Sequence, residues 1–188
     1  LSVAGILILA IFWGVSKYNG LVTKDEAVSG QWANVENQYQ RRADLIPNLV
    51  ATVKGYASHE SETLEGVVAA RAKATQITVD PNNLTPEKLQ QYQAAQGELS
   101  SALGKLLMIT ENYPELKANQ NFLELQAQLE GTENRITTER GRFNELSKDF
   151  NATVRKFPTN IVASLAGFEK KAYFEAEEGS EKAPEVKF

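Results

Sequence analysis

From Val28 to Ile77, the residues Val28, Trp32, Val35, Tyr39, Arg42, Ile46, Leu49, Val53, Tyr56, Glu60, Thr63, Val67, Ala70, Ala74 and Ile77 follow one another at alternating steps of four and three. A strand turns its side chains over at every residue and cannot present such a series on one side, whereas an α-helix can. The chain must therefore build its core from helices packed along heptad-like seams.

Similar spacing returns twice. Leu89, Tyr92, Leu99, Leu103, Leu106, Leu107 and Ile109 mark a second helix, opened by Thr85 as N-cap and Pro86 in the first turn. It stops at Asn112-Tyr113-Pro114, because the residue before a proline leaves the α region. A third helix begins near Ala118 and carries Phe122, Leu125, Leu129, Thr132, Ile136, Glu139, Phe143, Leu146 and Phe150, ending before Pro158. Ile161 to Phe168 has room for one or two further turns. The expectation is an all-α, elongated up-and-down bundle over residues 21–168, with three long helices and a fourth, followed by an acidic tail at 169–188.

One junction stays open. Asp44-Leu45-Ile46-Pro47 has the look of a fresh helix start, yet the apolar phase runs through it undisturbed. A kinked continuation is the preferred reading, with Pro47 costing the backbone bond to Ala43. A break and reversal there would supply the fourth helix. Continuous to Ile77, the first helix would outrun the second and leave apolar surface bare. Leu45, Ile46, Leu49, Val50 and Val53 are then the expected interface of a homo-oligomer.

Leu1 to Ser16 carries no charge and is apolar almost throughout. Sixteen helical residues reach about 24 Å, short of a hydrocarbon core of roughly 30 Å. The sequence opens on Leu1 rather than Met, so additional apolar residues upstream are expected to complete the span. Trp13, Lys17 and Tyr18 are residue types that sit at headgroup level. No A-x-A-like cleavage site follows, which argues against a signal peptide. Residues 1–20 are thus read as a transmembrane anchor, with membrane lipid as its partner.

Composition narrows function mainly by exclusion. The 188 residues carry a formal charge of −4 with acids and bases interleaved, so nucleic acid meets no concentrated basic face. With no Cys there is no disulfide, thiolate nucleophile or sulfur-ligated metal. His59 is the only histidine, and Thr63 stands where a zinc-binding helix would place a second. No catalytic group, cofactor or metal is therefore expected, and no enzymatic activity.

What remains is polar chemistry on the seams. Arg42, Glu60 and Glu139 are charged at seam positions, with Arg41, Asp44, Glu133, Arg135 and Arg140 as candidate partners. Such groups are costly unless paired, and they serve best to fix helix register. The alternative is a ligand-binding or sensor cleft lined by Arg41, Arg42, Asp44, Arg140 and Asn144. Asn134, Asn144 and Asn151 also enrich the third helix in amides able to bond between helices. Tyr173, Phe174, Val186 and Phe188 give the acidic tail apolar points by which to dock on the bundle.

Several strings together resemble the LemA family of bacterial membrane proteins. They include Tyr18-Asn19-Gly20-Leu21-Val22, Gln40-Arg41-Arg42-Ala43-Asp44-Leu45-Ile46-Pro47-Asn48-Leu49-Val50, and Val53-Lys54-Gly55-Tyr56-Ala57. Glu111 to Ala118, Gly131 to Ile136 and Tyr173 to Glu177 continue the likeness. The resemblance implies one N-terminal transmembrane segment, a four-helix type of bundle and no established activity. It also implies a place in the bacterial inner membrane, and the usual basic start of bacterial anchors would put the bundle outside the cytoplasm. A membrane protease or another envelope protein is then the expected partner.

Overall fold

The computed structural model describes residues 2–176, and among these all regular structure is helical. Six α-helices follow in order: α1 (Val3–Tyr56), α2 (Ser61–Gln76), α3 (Pro86–Thr110), α4 (Pro114–Lys117), α5 (Gln120–Arg155) and α6 (Thr159–Ala166). The all-α bundle expected from the seams is present, and α1, α2, α3 and α5 are its long members.

Of the preferred reading of the Asp44–Pro47 junction, the continuation is present, since α1 runs through Pro47 without interruption. Proline has no N–H for the Ala43 carbonyl, which would be left without its helical donor. Arg71 on α2 donates its Nε to that oxygen at 2.7 Å. A side chain from the neighbouring helix thus supplies the missing bond.

The helix does not continue to Ile77. It ends at Tyr56, and Ala57 to Glu60 turn the chain back so that α2 lies antiparallel along the distal half of α1. The local sequence is poor in helix formers, with Gly55, Ser58 and His59 in succession around a buried Ala57. The periodicity hid this reversal because the four-residue connection happens to keep the phase of the seam. As a consequence Ile46, Leu49 and Val53 are fully buried within the chain, against Leu64, Val67, Leu99 and Leu106. The bare interface expected at these positions is covered by α2, leaving only Leu45 and Val50 partly accessible.

α3 runs in the same direction as α1, with Tyr92 beside Trp32 and Ser100 beside Arg42. α5 returns antiparallel, fixed in register by Thr52–Asn121, Arg42–Glu133, Gln31–Glu139 and Lys24–Asp149 contacts. The interior therefore forms two apolar clusters stacked along the long axis. One centres on Trp32, Tyr92, Phe143 and Phe174, and the other on Ile46, Leu49, Leu99 and Phe122.

From Ser2 to Gly20 no side chain is buried, and Leu21 is the first to enter the core. α1 is the one described helix long and apolar enough to cross a membrane. At the other end, α6 stops at Gly167, whose φ of 76° is the left-handed cap that glycine adopts without strain. Residues 168–176 then climb back along α5 as an extended strap. The expected boundary at 168 therefore cuts through packed structure, since Ala172 and Phe174 are core residues. Docking of the tail is realised at Phe174, while Val186 and Phe188 lie outside the described residues.

Candidate functional site

Where the two apolar clusters meet, the seam carries Arg42. Its side chain is only 1% exposed, and each terminal nitrogen is engaged. Nη1 donates to Ser100 Oγ at 2.6 Å and to Glu133 Oε1 at 2.8 Å. Nη2 donates to the Gln96 carbonyl at 2.9 Å and to Gln96 Oε1 at 2.7 Å. The guanidinium also lies 5.2 Å from the centre of the Tyr39 ring. A buried charge is tolerable only with such a set of partners. Burial also raises the Tyr39 and Tyr92 phenols above their usual range, so both stay un-ionised.

Next to this layer the strap is held by an unusual device. Asn151 accepts the Lys171 backbone N–H at 2.7 Å and donates to the Lys171 carbonyl at 2.9 Å. Asn144, one heptad earlier on α5, accepts from the Phe174 N–H at 2.8 Å and donates to its carbonyl at 3.0 Å. Gln93 on α3 does the same with Glu175, at 3.2 and 2.8 Å. A carboxamide presents one acceptor and two donors in a plane, so it can replace a neighbouring strand for one residue of extended chain. All three clamps hold the backbone, and Asn151 Nδ2 also donates to the Tyr173 hydroxyl at 2.8 Å.

Side-chain identity enters most strongly at the Phe174 socket. Phe174 stacks on Trp32 with ring centres 5.7 Å apart and meets Phe143 edge-on at 5.4 Å. Arg140 covers its outer face at 4.9 Å while donating to the Glu175 carbonyl at 3.0 Å. Lys171 pairs with Asp25 and sits over Phe150.

Beside Glu175 and Ala176 the groove between α3 and α5 forms a cleft of about 560 Å³ among the described residues. Gln90, Gln93, Gln96, Ser100, Thr137 and Arg140 are among the side chains that line it, with Arg42 and Glu133 at its floor. The lining is rich in amide, hydroxyl and guanidinium groups of the kind that already grip the strap.

The sequence-derived residues divide accordingly. Arg42, Glu133 and Arg140 come together in the cleft, and Asn144 closes the strap beside it. Arg41 and Asp44 do not line it: both are exposed on α1, where Asp44 accepts from Gln40. Glu60 stands at the distal end and accepts from the Tyr113 hydroxyl at 2.9 Å. Glu139 faces Gln31 and Arg142 on another side of α5. Gln93, Gln96 and Ser100 escaped the sequence reading. The signal for Gln96 was present, because it fills the step between Tyr92 and Leu99 on the α3 seam.

Magnetosome proteins MamQ 1 and MamQ 2 of Paramagnetospirillum magneticum are each 27% identical to the chain over 183 residues, covering 85% of it and 65% of their own length. The chain thus spans just under two thirds of those relatives. Protein LemA of Metamycoplasma hominis is 26% identical over 92% of the chain and 76% of its own length. The LemA family model matches residues 31–188, from within α1 to the C-terminus, and the chain belongs to the LemA family.

Proposed function

We propose that this chain is a membrane-tethered, non-catalytic interaction protein that grips an extended segment of a partner polypeptide in the groove between α3 and α5. The apolar start of α1 is the tether, placed in the bacterial inner membrane with the bundle outside the cytoplasm. One observation carries the reading. The groove holds an extended chain through backbone-directed amide pairs, and the adjoining cleft is lined by further groups of the same chemistry.

Self-association through the α1 stripe loses its ground, because α2 covers that stripe. The partner is therefore another envelope polypeptide, a membrane protease or one of its clients. A small anionic ligand suits the cleft less well, since the Arg42 guanidinium is committed to Glu133, Gln96 and Ser100. Photo-crosslinking amino acids at Gln90 and Thr137, used in full-length protein in its own membrane, test the reading. Adducts from both positions should map to one short stretch of one partner. Diffuse products, or adducts confined to the chain itself, overturn it.

A further inference from the structure

The base of the bundle presents an apolar face that the other described residues leave uncovered. Phe157 is 80% exposed, Ile161 50% and Leu165 86%, and the three stand four residues apart through the turn before α6 and along it. The opposite face of α6 buries Thr159 and Ala163 against the core. A helix of this length is amphipathic by design of its sequence, with its apolar surplus directed outward.

Its height along the molecule is fixed by contacts. Lys24 pairs with Asp149, so α1 and α5 are level there. Lys17, the first charged residue after the apolar run, lies seven residues towards the N-terminus of α1, and Arg155, the end of α5, lies six residues on. These are descents of about 10 Å and about 9 Å. At the far end of α6, Phe168 packs its ring 5.9 Å from that of Tyr18. Both ends of α6 thus sit at the level where α1 changes from apolar to charged. Around this level Lys17, Arg155, Lys156 and Lys170 are exposed among the described residues, beside the acids Glu169 and Asp80.

We infer that α6 is a membrane-contacting foot: Phe157, Ile161 and Leu165 enter the headgroup boundary of the same bilayer that α1 crosses, and the basic collar meets anionic lipid. This rests on the tether reading given above. Lipid is the occupant that the geometry favours over a second copy, because the face is continuous with the apolar segment and ringed by positive charge. The foot would give the bundle a second point of attachment and so fix its tilt, holding the α3–α5 groove at a constant height above the bilayer.

The absence of Cys makes the test direct, since one introduced thiol labels uniquely. Leu165→Cys, Ile161→Cys, Leu9→Cys and Leu123→Cys, each labelled with an environment-sensitive fluorophore, are reconstituted as full-length protein into vesicles of mixed zwitterionic and anionic lipid. Labels at 165 and 161 should shift to the blue and lose most of their emission to a quencher on shallow lipid positions. The label at 9 should be quenched from deep positions, and that at 123, on the distal half of α5, not at all. Quenching at 9 with none at 165 and 161 overturns the foot and leaves the tether standing. A blue shift at 165 without lipid quenching assigns the face to a second copy and also overturns it. No quenching at 9 removes the tether itself.

Discussion

Arg71 Nε donates to the Ala43 carbonyl at 2.7 Å, four residues before Pro47, and so replaces the bond that the proline cannot make. Arg71→Met should leave a buried carbonyl unpaired and cost about 1–3 kcal/mol. The cost should fall below about 1 kcal/mol when Pro47→Ala supplies a backbone donor to the same carbonyl. Denaturant titration of the four variants in the cycle checks this. Equal losses in both backgrounds would mean that Arg71 acts only by packing.

The Arg42 layer gives a second expectation. Arg42→Met strands Gln96 Oε1 inside the bundle, whereas Glu133, whose side chain is half exposed, can turn to water. The single change should cost about 1.5–3 kcal/mol, the usual worth of hydrogen bonds to a charged group. Adding Gln96→Leu removes the stranded oxygen and should recover most of that loss. Thermal melts of the single and double variants decide it, and an unaltered melting point for Arg42→Met would argue that desolvation cancels its bonds.

Leu49 separates core from interface. It is fully buried beneath α2, so Leu49→Ala should lower stability by about 2–5 kcal/mol. Native mass spectrometry should find the oligomeric state unchanged. Dissociation of an assembly without loss of monomer stability would return Leu49 to an intersubunit role.

Burial raises the Glu36 carboxyl above its ordinary value. The folded state therefore holds that proton more tightly than the unfolded chain does. The stability it contributes is fully present below the unfolded value and is lost as pH rises through the folded one. Glu36→Gln imitates the protonated acid at every pH. It should raise the melting temperature at pH 7, with the advantage shrinking towards pH 4. An advantage that grows on acidification would contradict the assigned direction.

The seams made the helices legible, because a three-and-four spacing has few solutions. They could not show where α1 ends. A reversal over Ala57 to Glu60 preserves the phase, so only the local run of Gly55, Ser58 and His59 hinted at it. Arg42 was legible as a seam charge that needs a partner, but Glu133 was one of several candidates, and Asp44, nearer in sequence, meets Gln40 instead. Gln93 and the strap were not legible, because an extended segment of mixed residues has no period. Its contacts depend on side chains 20 to 82 residues away in sequence. Asn144 and Asn151 stood out in the sequence as amides at heptad spacing, but nothing there named the backbone they hold.

Backbone hydrogen exchange in the strap tests the central claim most directly, read residue by residue on full-length protein in a membrane mimic. The N–H groups of Lys171, Phe174 and Glu175 belong to no helix or sheet, yet they donate to Asn151, Asn144 and Gln93. They should exchange far more slowly than in a free peptide, and Asn144→Leu should release Phe174 first. Exchange at free-peptide rates at all three positions in the unmodified protein would mean that the amide clamps do not hold an extended chain, and the proposed grip on a partner would fall with them.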